Sequence, residues 1–247
     1  MTASAEQEAV TIRRPVAWWV LLWRDKAALV SVFWLAVVLI SVVLGPVLFT
    51  EAAGRVSLAA RNAPPGFSNG LINLLGTDPL GRPLLPRLMV GARNTVLVAS
   101  SAVAVALCVG GFLGMLAGYL GGVVSVVIMR FADLLSSFPS LLLALIVLYV
   151  LEPSPANLVL VLAITRIAIY LRVTRAEVLE IRERVFVEAA RALGGSKAHI
   201  LRRHITPLVA PTLVTILTVD FASVMLAESA LSFLGIGIQP PEVTWGL

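Results

Sequence analysis

The chain has 247 residues, of which 59% are hydrophobic and 13% charged, and its mean hydropathy is +0.96. Because soluble domains carry about 25% charged residues, this composition excludes an ordinary globular protein and indicates several membrane spans. The net charge of +5 does not indicate a nucleic-acid partner, since the basic residues flank apolar segments as in positive-inside membrane proteins. The single cysteine, Cys108, excludes an internal disulfide and a cysteine metal site.

Residues 1–26 form a polar N-terminal segment without an early apolar core, so they predict no cleaved signal. Its tryptophans, among them Trp18 and Trp19, are typical of the membrane interface. Residues 27–49 carry no charge and are long enough for a first spanning helix. Residues 50–93 are rich in proline and glycine and predict an external loop with short elements, in which Asp78 and Arg82 can form a local ion pair.

Residues 94–129 are 36 consecutive uncharged residues, too many for one ordinary span. A turn at Tyr119, Gly121 and Gly122 is predicted to divide them. The first half carries small residues at helical spacing, which allow close approach of another helix: Gly111, Gly114 and Gly118. We therefore expect a tightly packed second span that ends at this turn.

The next helix is predicted from Val123 to Leu151, with a kink at Pro139. Arg130 and Asp133 lie three residues apart on it, so they share a helix face and can pair. A further span, residues 156–173, is interrupted by Arg166 and leads into a charged helical segment.

The last span covers residues 208–236 and contains Asp220 and Glu228, which lie eight residues apart on similar faces. Ionisable residues inside a membrane indicate function. The candidates for a translocation path are therefore Asp133, Arg166, Asp220 and Glu228, and the alternative for each is a packing or interhelix pairing role.

Five predicted spans place the two ends of the chain on opposite sides of the membrane. With a cytoplasmic N-terminus, 14 of the 19 basic residues lie inside and five outside, between Arg55 and Arg93. This asymmetry predicts the orientation. Residues 94–247 then form the membrane core, and the stretch from Val185 to Pro211 is cytoplasmic.

The cytoplasmic stretch predicts two short helices. Val185–Leu193 is the first, and Gly194 and Gly195 end it because glycine accepts positive φ. Ser196 is the predicted N-cap of a second helix, Lys197–Ile205, which Pro207 stops before the last span. The two histidines have no supporting carboxylate or cysteine at suitable spacing, so no metal site is expected.

The segment EAARALGGSKAHILRRHITP (188–207) resembles the EAA loop of the integral-membrane subunits of bacterial binding-protein-dependent ABC importers. Glu188, Ala189, Ala190 and Gly194 match the EAA-xxx-G pattern, and Pro207 matches its closing proline. His204 stands where the general pattern has isoleucine, and a histidine there is usual in the peptide-permease branch.

Three further segments carry the resemblance in the right order. LGTDPLGR (75–82) is similar to LGTDxxGRD, YLRVTRAEVL (170–179) to YARxxRAEVL, and LSFLGIGIQPPEVTWG (231–246) to LSFLGLGVQPPxPSWG. The chain departs from these patterns at Pro83, Pro86 and Ile167. The segments indicate the dipeptide/oligopeptide/nickel class and a subunit of the type that pairs with a second, related permease.

The resemblance implies an all-α, polytopic bundle with the MetI-like fold of type I ABC importers, in which five spans are present and a sixth would be expected beyond residue 247. It also implies that residues 185–207 are a coupling loop that inserts into a groove of a cytoplasmic ATPase subunit. The implied coupling residues are Glu188, Ala189, Ala190, Gly194, Gly195, His204 and Pro207.

The implied partners are a second homologous permease, two ABC ATPase subunits or a fused pair, and an external substrate-binding protein. ATP and Mg²⁺ would be bound by the ATPases, and no cofactor or enzymatic activity is expected in this chain, which lacks a glycine-rich GK[ST] loop. The implied location is the bacterial cytoplasmic membrane. The branch leaves several solutes open: dipeptides, longer peptides, nickel, haem and glutathione.

Two other classes of function compete with this interpretation. An ion- or proton-coupled secondary transporter would use Asp220 and Glu228 as coupling carboxylates, although the hydropathy shows no clear inverted repeat. An intramembrane enzyme would need catalytic residues on its spans, but no Ser/His pair, HExxH or GxSxG lies there. ATP-dependent uptake is the property that separates the importer from both alternatives.

Overall fold

The computed structural model describes residues 23–66, 70–152 and 154–247. Most of the predicted N-terminal segment, including Trp18 and Trp19, lies outside these residues, as does Pro153 in the predicted turn before the fourth span. The chain divides into two compact units, Met1–Ile40 and Ser41–Leu247. The described part of the first unit is largely the start of one helix, and the functional regions below belong to the second.

The described residues form helices and connecting turns, with no β-strand. The helices are α1 (Lys26–Gly54), α2 (Leu84–Leu120), α3 (Gly122–Ser136), α4 (Ser140–Leu151), α5 (Pro155–Ile181), α6 (Val185–Ala192), α7 (Lys197–Ile200) and α8 (Thr206–Phe233). Short 3₁₀ helices occur at Leu58–Ala60 and Leu71–Asn73, and a π-helix occurs at Leu201–Ile205.

Four of the described helical segments are long and apolar enough to cross a membrane, and α3 and α4 together would make a fifth span. The predicted all-α, multi-pass fold class is therefore confirmed. Helix α1 begins where Asp25 Oδ1 accepts a hydrogen bond from the Ala27 N–H at 2.9 Å, which caps the helix. It continues to Gly54, five residues beyond the predicted end of the first span.

Helix α2 begins at Leu84, ten residues earlier than the start of the predicted membrane core at Asn94. The residues before it form a short loop that is closed by an antiparallel bridge between Thr77 and Pro83. Helix α2 ends at Gly121, whose φ is +68°, so the predicted division of the long apolar run is correct.

The predicted single helix from Val123 to Leu151 is wrong in one respect. The chain breaks at Ser137–Pro139, and helices α3 and α4 meet at 83° instead of forming one kinked helix. Proline lacks the N–H that a continuous helix needs and disfavours helical geometry in the residue before it. The predicted kink is therefore a sharp bend.

Helix α5 is the centre of the bundle and packs against α2, α3, α4 and α8. Its N-cap is Ser154, whose side chain accepts a hydrogen bond from the Asn157 N–H, and the helix runs unbroken from Pro155 to Ile181. The predicted span at 156–173 and the charged segment that follows are thus one helix. The main core is built from buried side chains of α2, α4, α5 and α8, among them Val103, Leu148, Leu158 and Leu231.

Candidate functional site

The loop between α5 and α8 contains helix α6, which ends in a Schellman motif. Gly194 adopts φ +83°, its N–H donates to Arg191 O at 2.9 Å, and the Gly195 N–H donates to Ala190 O at 3.0 Å. These bonds satisfy carbonyl groups that the helix end would otherwise leave without partners. The prediction that the two glycines end this helix is confirmed.

The two glycines are needed for different reasons. Open space surrounds Gly194, so a side chain there would suffer from the positive φ and not from a clash. At Gly195 an added Cβ would lie 2.7 Å from Ala190 O and 3.3 Å from Ile200 Cγ1. Gly194 therefore sets the turn, and Gly195 allows the second helix to lie close to the first.

Ser196 caps the second helix as predicted, since its Oγ accepts a hydrogen bond from the His199 N–H at 3.3 Å. The predicted stop at Pro207 is wrong. Helix α7 passes through the π-helix directly into α8, and Pro207 lies in the first turn of α8. Thr206 donates from its backbone N–H to Leu201 O, a five-residue step that creates a π-bulge.

A cluster of apolar side chains fixes the loop to the bundle. Val187, Ile200 and Ile205 are almost fully buried and pack in one cluster with residues of α5 and α8: Val178, Ile181 and Val209. We call these six residues the anchor cluster. The guanidinium of Arg191 also lies 5.7 Å from the centre of the Tyr119 ring at the end of α2. The loop is therefore tied to three of the long helices.

The opposite face of the loop is open. Glu188 and Ala189 are exposed, and Leu193 exposes 89% of its surface. A cleft of about 370 Å³ opens on this face. Its lining is formed by Phe186, Ala189, Ala190, Leu193, Gly195, His199 and His204. We call it the loop cleft. The His204 ring lies 5.8 Å from that of His199 and 6.5 Å from that of Phe186, measured between centres.

Most of the predicted coupling residues therefore meet on one surface. Ala189, Ala190, Gly195 and His204 line the loop cleft, Glu188 is exposed beside Ala189 on α6, and Gly194 forms the adjoining turn. Pro207 lies elsewhere, in a neighbouring basic cavity of about 530 Å³ that is also lined by His199, Arg202 and Arg203.

A buried polar contact joins α5 to α8 inside the bundle. Arg166 Nη1 lies 3.2 Å from Asp220 Oδ1, with 21% and 6% of the side chains exposed. Next to this pair is the buried Tyr170 side chain, whose hydroxyl faces the Asp220 carboxyl, whereas the buried Thr174 side chain lies against Gly114 of α2. Among the described residues, no hydrogen-bond partner meets Arg166 Nε or Thr174 Oγ1. The sequence indicated both charged residues but not Tyr170 or Thr174.

Glu228, also predicted for the path, is fully buried and contacts neighbours in the sequence. The Ser232 hydroxyl donates to Glu228 Oε1 at 2.7 Å, and Ser232 Oγ accepts from the Ile238 N–H at 3.2 Å. These bonds hold the turn that follows α8. The spacing of Glu228 and Ser232, one helical turn apart, was the signal for this contact in the sequence.

Asp133 does not pair with Arg130 as expected. Its Oδ1 lies 3.2 Å from Arg172 Nη2 of α5, and both side chains are largely exposed. The local spacing suggested the nearer arginine, but α3 packs beside α5 and brings Arg172 across. Asp133 and its actual partner, Arg172, are distant in the sequence, so the periodicity of one helix could not reveal this ion pair.

The end of the chain returns to the start of α2. Trp245 donates from its backbone N–H to Thr95 Oγ1 at 3.1 Å and from its indole N–H to Leu88 O at 2.9 Å. The Asn94 side chain donates to Val243 O at 2.9 Å. The predicted loop lies before the same helix, and its Asp78–Arg82 ion pair is present at 2.6 Å.

The environment of Asp78 changes its acidity in two opposite directions. Burial raises the pKa of this carboxyl, but hydrogen bonds from the backbone and side chain of Arg82 and from the Leu80 N–H stabilise the charged form. The net result is a pKa below the ordinary value for aspartate.

Comparison with known proteins agrees with this geometry. Residues 110–247 match the family "Binding-protein-dependent transport system inner membrane component". The chain is 35% identical over 212 residues to the probable D,D-dipeptide transport system permease protein DdpC of Escherichia coli, covering 86% of this chain and 70% of that protein. It is 30% identical over 246 residues to the dipeptide transport system permease protein DppC of Bacillus subtilis, covering 98% and 76%.

Among solved structures, the chain is similar to a crystal structure of an amino acid ABC transporter with histidines. The identity is 22% and the TM-score 0.48, over 61% of this chain and 73% of that one. The family assignment rests on the sequence matches alone.

A helical membrane bundle with an EAA-type loop defines the class: an integral-membrane permease of an ABC importer. The chain belongs to the family of inner-membrane components of binding-protein-dependent transport systems, and within it to the type of the dipeptide-system permeases that it matches. It is a multi-pass membrane protein and a subunit of a larger transporter complex. The predicted family and class of function are confirmed.

Proposed function

We propose that this permease moves peptides across the cytoplasmic membrane and that the loop 185–207 couples this movement to ATP hydrolysis by partner subunits. The relatives' descriptions as dipeptide and D,D-dipeptide systems support short peptides as the substrate class. A substrate-binding protein would deliver the peptide from outside, and a second homologous permease would complete the path. The N-terminus and the loop lie on the cytoplasmic side, as the distribution of basic residues indicates.

The observation that carries the coupling role is the two-sided construction of the loop. Its inner side is buried in the anchor cluster with α5 and α8. On its outer side, the small side chains of Ala189 and Ala190 leave the loop cleft open. A partner side chain can fit into this cleft. Two ATPases, separate or fused, would bind ATP and Mg²⁺ and press on this surface when they close.

Force applied at the loop has a direct route into the membrane. The π-helix joins α7 to α8 without a break, so α8 and the loop move together. The anchor cluster adds the end of α5 to the same unit. We infer that the bundle rocks between inward- and outward-facing states as one body and that the ATPases apply force to it through the loop.

The four ionisable candidates for the translocation path have different surroundings. Arg166 and Asp220 have the strongest claim to a place in it, because they form an ion pair between α5 and α8 in which the Arg166 side chain is partly exposed. Asp133 lies in an exposed pair with Arg172. Glu228 has contacts that support the turn after α8, so we place it last among the four candidates.

The coupling role can be tested with one pair of substitutions on α6. Ala189→Trp fills the loop cleft, whereas Ala192→Trp adds the same bulk to an exposed residue of the same helix that does not line it. Both variants leave the anchor cluster intact. We expect Ala189→Trp to lower ATPase co-purification and peptide-stimulated ATP hydrolysis by about tenfold, as expected for one central contact of an interface, and Ala192→Trp to change neither by more than about twofold. Equal activity of the two variants would contradict the proposed docking surface.

A further inference from the structure

A groove lined by arginines runs beside the turn that joins α2 to α3. One cavity, of about 660 Å³, is lined by Gly121, Gly122, Val123, Ser125, Val126, Arg175, Leu179 and Arg182. A second, of about 320 Å³, is lined by Ser125, Val126, Met129, Arg130, Asp133 and Arg175. The two share Ser125, Val126 and Arg175, and we call them together the arginine groove.

The charge of the arginine groove is positive. Arg175 Nε donates to the Ser125 hydroxyl at 2.9 Å, and among the described residues no carboxylate lies within ion-pair distance of Arg175 or Arg130. Asp133 is the acidic residue of the lining, and it is paired with Arg172. The groove therefore retains cationic groups whose charge is not balanced within the described chain.

Arg182 has a different structural role from Arg175 and Arg130. Its Nη1 donates to Gly118 O at 2.8 Å, and its Nε donates to Glu183 Oε1 at 2.8 Å. It thus holds the end of α2 in place while its charge contributes to the rim of the groove.

The walls of the groove are apolar, and the apolar surface continues along α3. Val123, Val126 and Val127 expose 79%, 58% and 62% of their surfaces. A ligand that fits must combine an anionic group for the arginines with an apolar part that covers the exposed valines. A phospholipid with an anionic headgroup has both groups, whereas a free phosphate would leave the valine surface bare.

The position along the membrane agrees with a lipid. The turn at Gly121 follows Tyr119, which packs with the anchor cluster, so the groove lies at the same end of the bundle as the coupling loop. If this end is cytoplasmic, as proposed above, the groove faces the headgroups of the cytoplasmic leaflet, where basic pockets between helices bind anionic lipids.

We propose that the arginine groove binds one anionic phospholipid of the cytoplasmic leaflet, with Arg175 and Arg130 contacting its phosphate. The lipid would brace the turn between α2 and α3 against the start of the loop. This inference rests on the proposed orientation of the chain for the choice of leaflet, and on the groove itself for the choice of ligand.

Native mass spectrometry of the purified, assembled transporter tests the proposal with phosphatidylglycerol and phosphatidylcholine as probes. We expect the wild type to retain phosphatidylglycerol in preference to phosphatidylcholine. Arg175→Gln and Arg130→Gln should each lower this retention about fivefold, since one arginine near a lipid surface contributes on that scale. Arg175→Lys should preserve most of it, and Arg202→Gln, outside the groove, should leave it unchanged.

Three outcomes would overturn the lipid site. The first is equal retention of both lipids by the wild type, and the second is unchanged retention in Arg175→Gln. The third is efficient disulfide cross-linking of a Val126→Cys variant to a cysteine introduced in the second permease, which would show that a protein covers the groove. Because lipid retention is measured without transport, its failure leaves the proposed importer function intact, and a failure of ATP-driven uptake leaves the lipid result readable.

Discussion

Helix α5 packs against α2 and against α8 in two different ways. Toward α2 the contact depends on glycine: a Cβ at Gly110 would lie 2.5 Å from Ile167 O, and one at Gly114 would lie 2.6 Å from Leu171 O. Toward α8 it includes the Arg166–Asp220 ion pair and the buried Tyr170 hydroxyl that faces Asp220. One interface is defined by shape, and the other is defined in part by charge.

The difference separates stability from function within one helix. Close backbone packing at small residues is the usual way in which helices associate in lipid, and it leaves little room for alternative arrangements. Buried charges contribute little net stability and are kept in membranes chiefly where they serve a function. We therefore propose that the α2–α5 interface belongs to the fixed frame and the α5–α8 interface to the translocation path.

The largest expected effect comes from removing one partner of the ion pair. Asp220→Asn leaves the Arg166 charge uncompensated, which destabilises a protein by about 3–5 kcal/mol at a buried site. The double variant Arg166→Gln, Asp220→Asn removes both charges and should recover most of that stability. Thermal unfolding of the purified protein measures both effects.

Peptide uptake by the double variant then tests whether the Arg166–Asp220 pair belongs to the translocation path. A pair in the path predicts a stable protein with altered uptake, whereas a pair used only for packing predicts normal uptake. Normal uptake together with restored stability would therefore remove Arg166 and Asp220 from the path.

A smaller effect is expected at the glycine interface. Gly114→Ala forces a Cβ against Leu171 O and the Thr174 side chain, whereas a Cβ at Gly111 would meet nothing nearer than 3.9 Å. Overpacking of this kind costs about 1–3 kcal/mol, so we expect Gly114→Ala to give about tenfold less folded protein. Gly111→Ala is the matched control and should be close to wild type. Similar yields of the two variants in size-exclusion chromatography would contradict the described packing.

The smallest effect concerns the loop before α2, which belongs to neither interface. Because the pKa of Asp78 is lowered in the folded protein, its charged form stabilises the loop above the unfolded pKa of about 3.9. This contribution is lost as the pH falls through the folded-state pKa. Asp78→Asn should therefore lower the melting temperature slightly at pH 7, and this difference should shrink as the pH is lowered below about 3.9, as measured by parallel melting curves. A difference independent of pH would exclude the ion pair as its cause.

Local signals in the sequence were sufficient for the turn of the coupling loop. Gly194 and Ser196 act on backbone groups within a few residues, so their roles as helix end and helix cap follow from residue type and order. The family resemblance added the importer class. The division at Gly121 was equally local, since it lies between two runs that are each long enough to span.

Contacts between distant segments could not be read in the same way. The Asp133–Arg172 pair depends on how α3 lies beside α5, and Gly110 was missed at an interface where Gly114 and Gly118 were identified. Pro207 was misjudged because a proline in the first turn of a helix needs no partner for its missing N–H, and a π-bulge lets the preceding helix continue into it. The first two errors come from reading one helix without its neighbours, and the third comes from a local feature of the chain.

The most direct test of the account is uptake by the assembled transporter in proteoliposomes, with its ATPases, second permease and binding protein present. We expect peptide uptake to require ATP on the side of the loop 185–207 and not to follow from a proton gradient alone. Ala189→Trp should lower this ATP-driven uptake by about tenfold, and Ala192→Trp should preserve it. Uptake driven by a proton gradient in the absence of ATP would contradict the importer function and favour an ion-coupled transporter that uses Asp220 and Glu228.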